Sequence, residues 1–125
     1  MSVLIDSSVW IDYFRNGNNH EKVDFLIDEN LVTTNDLILA ELTPFLKIRN
    51  QNNLIDLLNN INKLSMNIKW DQIIELQYLC LQNGLNGLGI PDLIIVQNAM
   101  QNLARVYSLD KHFLSMSVFL DFEIF

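Results

Sequence analysis

Short apolar runs that stop at a polar or acidic residue alternate, along this chain, with stretches whose apolar positions recur every three or four residues. Val3-Leu4-Ile5 reads as a buried strand ending at Asp6, and Ser7 is placed to cap a helix whose Val9, Trp10, Tyr13 and Phe14 share one face. Asn16-Gly17-Asn18-Asn19 breaks that helix. A second helix is predicted over residues 21–28, then a strand Leu31-Val32-Thr33-Thr34, with Asn35 or Asp36 capping a third helix. In that helix Leu37, Ile38, Leu42, Phe45 and Leu46 keep helical spacing to about Lys47, with a bend expected at Pro44.

Residues 50–62 are rich in Asn and Gln, yet Leu54, Ile55, Leu58 and Ile61 mark an amphipathic helix with an amide-covered outer face. A brief strand over 64–68 and a helix over 71–82 come next, and Gly84, Gly87 and Gly89 mark a turn before Pro91 opens another helix. That helix carries Leu93, Val96, Met100 and Leu103 on its predicted inner side and Gln97, Asn98, Gln101 and Asn102 on its predicted outer side. Val106-Tyr107-Ser108-Leu109 reads as a strand ending at Asp110, a short helix starts near Lys111, and residues 119–125 supply a last strand. Strands alternating with helices define an α/β protein with a central sheet.

The 125 residues, half of them hydrophobic, suit one domain spanning 1–125 with a single core. No apolar stretch approaches the roughly 20 residues needed to cross a bilayer, and no basic region precedes a hydrophobic one at the start, so a cytoplasmic location is expected. The one cysteine, Cys80, reads as a buried structural thiol. A net charge of -7 opposes broad electrostatic binding of nucleic acid by the bare surface, unless much of the negative charge is local and neutralised by cations.

Four acids, Asp6, Glu41, Asp92 and Asp110, stand at the edges of apolar segments. Each aspartate alone has an ordinary reading as a helix cap. Glu41 does not: Leu37, Ile38 and Phe45 place it in or beside an apolar stripe, and no Lys or Arg occurs between residues 23 and 46 to pair with it. A parallel sheet gathers the carboxyl ends of its strands into one crevice, where acids distant in sequence meet and require a cation. An all-oxygen set suits Mg²⁺ or Mn²⁺ and disfavours structural zinc. His20 and His112 read as surface or site-edge residues, and the hydroxyls of Ser8 and Ser108 can orient a neighbouring carboxylate. Arg15, Lys47, Arg49 and Lys111 are candidate phosphate contacts, with a solvated surface charge as the default for each.

Leu4-Ile5-Asp6-Ser7-Ser8-Val9-Trp10-Ile11-Asp12, Leu39-Ala40-Glu41-Leu42, Gly89-Ile90-Pro91-Asp92-Leu93-Ile94-Ile95 and Ser108-Leu109-Asp110-Lys111-His112-Phe113 together resemble the PIN-domain ribonucleases, and among them the VapC-type toxins of toxin-antitoxin pairs. The resemblance spans nearly the whole chain. It implies a three-layer α/β/α fold with a mostly parallel sheet of about five strands. It also implies a catalytic, metal-binding quartet at Asp6, Glu41, Asp92 and Asp110, with accessory hydroxyls at Ser8 and Ser108. The implied activity is Mg²⁺- or Mn²⁺-dependent endoribonuclease cleavage; the implied partners are RNA, a cognate antitoxin and a second copy in a homodimer. Two alternatives stand beside it. A phosphotransfer enzyme with an aspartate nucleophile commonly carries a second acid where this chain has Ser8, and a catalytically silent binding or scaffold module would keep the fold without the reaction.

Overall fold

A computed structural model describes all residues from Met1 to Phe125. Strands β1 (Val3–Ile5), β2 (Val32–Thr34), β3 (Asn62–Lys63) and β4 (Arg105–Tyr107) form one sheet in the order β3-β2-β1-β4, every pair parallel. Helices α1 (Ser7–Phe14), α2 (His20–Asp28), α3 (Asp36–Ile48), α4 (Asn52–Asn59), α5 (Trp70–Gln82), α6 (Ile90–Asn102) and α7 (Lys111–Ser117) connect and flank the strands. Val3, Leu4 and Ile5 are fully buried, as a central strand covered on both faces requires. They belong to one continuous cluster of 27 buried residues. Trp10 anchors the α1 side of that cluster, stacked on Phe14 at 5.8 Å and edge-on to Tyr13 at 5.9 Å.

The sheet has four strands where about five were expected. The last segment contributes only a parallel bridge between Val106 and Ile124, fastened by Val106 N–H to Glu123 O (2.9 Å) and Phe125 N–H to Val106 O (2.9 Å). The strand expected over 64–68 is also displaced. β3 ends at Lys63, Leu64 N–H still bonds Thr34 O at 2.8 Å, and the backbone then leaves the sheet.

The reason lies on α6. Its polar positions do not face solvent as a unit: Gln97 and Asn98 are buried, whereas Leu103, assigned to the inner side, is 90% exposed in a left-handed C-cap. Gln97 donates to Lys69 O (3.0 Å) and accepts from Lys69 N–H (3.2 Å), Asn98 donates to Ser65 O (2.8 Å), and Gln101 donates to Asn67 O (2.7 Å). Side-chain amides thus satisfy the backbone of residues 65–69, which has no strand partner. Asn98 also accepts from Asn35 Nδ2 (2.9 Å), and Asn35 Oδ1 in turn caps α3 through Ile38 N–H (2.9 Å). Asn35, not Asp36, is therefore the cap. α3 runs unbroken through Pro44; the N–H that proline lacks would have served the carbonyl of exposed Ala40, which water can reach.

Gly17 is needed for close approach. A Cβ there would overlap the Asp12 carboxylate, which also accepts from Asn19 N–H at 3.2 Å and so fastens the turn between α1 and α2.

Candidate metal centre

In a parallel sheet, each helix that follows a strand starts at the carboxyl edge, and a helix that leads back into a strand also starts there. Asp6 follows β1 and precedes α1; Asp110 follows β4 and precedes α7; Asp92 sits in the first turn of α6, which leads into β4. Central β1 lies between β2 and β4, so these positions converge.

Asp6 is 6% exposed and tightly held. Its N–H bonds Tyr107 O at 2.9 Å, continuing the β1–β4 ladder, and its Oδ2 accepts from Ser8 (2.9 Å) and Ser108 (2.7 Å). The same two serines fix the opposite loop: Leu109 N–H donates to Ser8 Oγ and Asp110 N–H to Ser108 Oγ, both at 3.0 Å. Each hydroxyl therefore couples the end of β1 to the end of β4. Ser108→Ala is expected to lower affinity for a divalent cation about 10-fold through misplacement of Asp6 and Asp110, with a loss of thermal stability of on the order of 1 kcal/mol. Cation titration and calorimetry on the same preparation check it.

Asp92, Asp110 and His112 each offer a ligand atom, all within 4.8 Å of one another. Asp6 and Glu41 stand outside that tight group, although their charges reach it. Burial, then Asp110 and Asp6, push the Asp92 carboxyl up, with a smaller opposing pull from the Gly89 backbone and His112. Burial, then Asp6 and Asp92, push Glu41 up. Glu41 is nevertheless an exposed residue, one α-helical turn before exposed Phe45, and not part of the buried stripe expected for it. α3 turns Ile38, Leu42 and Leu46 inward and leaves Glu41 on the rim.

None of the four acids is paired with Lys or Arg. Lys63 binds Asp36 and Arg105 binds Glu123, each at 3.0 Å, and both pairs are exposed. Oxygen donors, mutual repulsion and the lack of a basic partner together fit a divalent cation. Of the candidate phosphate contacts, Arg15, Lys47, Arg49 and Lys111 are all exposed. Arg49 lies 4.3 Å over the Phe45 ring, and with Arg15 it lines a cavity of about 140 Å³ beside Ile11, Phe14 and Leu42.

The raised carboxyls give a stability signature. A proton on Glu41 or Asp92 is held more tightly in the folded than in the unfolded chain. The contribution is complete below the unfolded pKa of about 4 and is lost as pH rises through the raised folded values. In chelator, the melting temperature should therefore fall as pH is raised from about 4.5 toward neutrality, and Mg²⁺ should remove much of the fall. Scanning fluorimetry across that range checks it; a flat profile in chelator contradicts it.

His112, expected at the surface or the site edge, stands beside Asp92 and Asp110. Asp110 precedes α7 in an extended conformation (φ -80, ψ 119), which swings its carboxylate over the first turn to accept His112 N–H at 2.9 Å and lie 3.2 Å from His112 Nδ1. Two residues apart in a regular helix the side chains would diverge; the cap geometry brings them together.

No helix is long and apolar enough to cross a membrane. None of the curated proteins compared is a significant match to the sequence. Among solved structures, VapBC2 from Rickettsia felis bound to a DNA fragment from its promoter superposes with TM-score 0.73 at 20% identity, covering 92% of each chain. DNA-bound VapBC from Salmonella typhimurium gives 0.76 at 14% identity, over 100% of this chain and 97% of that one. VapC20 of Mycobacterium tuberculosis, described as a sarcin-ricin loop cleaving toxin, gives 0.60 at 13% identity, over 91% and 94%. At such identities the likeness establishes a common fold. The PIN domain model matches residues 3–118 of the sequence itself, and with the parallel sheet and carboxyl-edge acids in place, the chain belongs to the PIN domain family.

Proposed function

We propose that this chain, acting as a single domain over residues 1–125, is a metal-dependent endoribonuclease and the toxin of a VapBC-type toxin-antitoxin pair. The observation that carries the reading is the unneutralised group of Asp92 and Asp110, faced by Asp6 on its two serine hydroxyls at the carboxyl edge of a PIN-family sheet. Asp6, Glu41, Asp92 and Asp110 are the residues assigned to Mg²⁺ or Mn²⁺. A divalent ion held there supplies acidification of water and neutralisation of the charge that develops on the departing oxygen.

The chain's own residues do the positioning. Ser8 and Ser108 hold one oxygen of Asp6 and leave the other without a strong donor; the His112 N–H orients the Asp110 carboxylate through Oδ1. Glu41, on the rim with a raised pKa, is suited to reach the centre through water. Arg15, Lys47, Arg49 and Lys111 are assigned to the RNA backbone, where each neutralised phosphate adds affinity without sequence preference. The partner is an antitoxin, in line with the VapBC structures that share the fold, and the active form is a homodimer, as the family resemblance implies.

Cleavage of RNA in Mg²⁺ or Mn²⁺, with analysis of the product ends, tests this. Direct attack by water leaves a 5′-phosphate and a 3′-hydroxyl, and the activity should vanish in chelator. A cyclic phosphate product, or cutting that survives chelation, would replace the metal-dependent mechanism with attack by the ribose 2′-OH.

A further inference from the structure

We propose that the His112 imidazole is a direct ligand of the divalent ion, completing with Asp92 and Asp110 a mixed nitrogen and oxygen set that selects Mn²⁺ over Mg²⁺. The inference rests on the metal-dependent reading above and adds to it a ligand and a metal preference. Three observations carry it. A ligand atom from each of the three residues lies within 4.8 Å of the others, a group that includes the imidazole and leaves out Asp6 and Glu41. The His112 Nδ1 to Asp110 Oδ1 separation is 3.2 Å. Bonds of about 2.1 Å around an octahedral ion put adjacent donors about 3.0 Å apart and opposite donors about 4.2 Å apart, so the pair has the spacing of one coordination edge.

The third observation is positional. His112 is half-buried, its first-turn backbone N–H is committed to the Asp110 carboxylate, and a nitrogen of its ring lies within 4.8 Å of an Asp92 carboxylate oxygen. The competing explanation is a plain hydrogen bond in which the ring donates to Asp110. A ring nitrogen bound to metal has no proton to donate, so for that nitrogen the two are mutually exclusive. Imidazole suits transition ions, whereas Mg²⁺ strongly prefers oxygen, which gives the proposed site its selectivity.

Mn²⁺ bound to the full-length protein, studied by pulsed electron paramagnetic resonance, tests the assignment. Nitrogen modulation from a directly bound imidazole is expected in the wild type and in His20→Ala, which removes the other histidine, and is expected to disappear in His112→Ala. Mn²⁺ affinity should fall about 10- to 100-fold in His112→Ala, while Mg²⁺ affinity changes less than about threefold. His112→Gln should keep the fold, read by circular dichroism, and lose the nitrogen signal. Mn²⁺ bound without imidazole modulation, or equal losses for both metals, would overturn the ligand assignment and leave the nuclease reading intact. No Mn²⁺ binding at all would overturn both.

Discussion

Asp92→Asn is expected to lower RNA cleavage by about 10²- to 10³-fold and, in the same protein, to raise the melting temperature in chelator by roughly 2–4 °C. The two effects have one cause. Asp92 is pushed up first by burial and then by Asp110 and Asp6, so its ionised form opposes folding when no cation is present. An amide has nearly the same shape and no charge, relieves that repulsion, and removes a donor the cation needs. Functional centres commonly hold destabilising charge of this kind, and neutralising it exchanges activity for stability. Loss of activity together with a lower melting temperature in chelator would instead make Asp92 a structural acid, for example through its position in the first turn of α6, where a carboxylate is favoured.

Asn98→Ala should be the most destabilising single polar substitution, by about 2–4 kcal/mol. Asn98 is 2% exposed and joins three parts of the fold. It receives the Asn35 amide that helps set the start of α3, it holds the Ser65 carbonyl, and its own carbonyl accepts from Asn102 Nδ2 at 2.9 Å. Truncation would leave the fully buried Asn35 donor without its partner and would release the backbone of exposed Ser65 from α6. The denaturant midpoint should fall with an unchanged m-value, because the surface exposed on unfolding is the same. A loss below about 0.5 kcal/mol would mean that the network contributes little.

These two residues also show what could be read from sequence. Asp92 was legible because its neighbours are ordered: Gly89 and Pro91 set a helix start, and a helix leading back to a parallel strand must begin at the carboxyl edge. Asp6 and Asp110 were legible in the same way, each closing an apolar run. Asn98 was misread because amphipathic periodicity treats amides as a solvent face. On α6 that rule fails, since an irregular neighbouring segment needs hydrogen-bond partners and the amides supply them. The same trade erased the strand expected over 64–68.

Glu41 lies farther out than its flanking residues suggested, and His112 lies at the site edge, one of the two placements expected for it. Flanking apolar residues put Glu41 near the core, but on α3 the inward set is Ile38, Leu42 and Leu46, which leaves Glu41 exposed at the rim. His112 had no periodic signal because its approach to Asp110 depends on the extended backbone of a single cap residue. Spacing rules assume a continuous helix and cannot express that turn. The final strand was overestimated for a related reason: Phe119, Phe122, Ile124 and Phe125 have strand composition, yet only Ile124 is bridged to β4.

The most direct test of the whole account is an anomalous-scattering map of crystals soaked in Mn²⁺. A peak is expected at the carboxyl edge within about 2.1–2.3 Å of oxygens from both Asp92 and Asp110, with Asp6 facing it, and no such peak in Asp92→Asn crystals. Manganese bound only elsewhere on the molecule, with these carboxylates left to water, would contradict it.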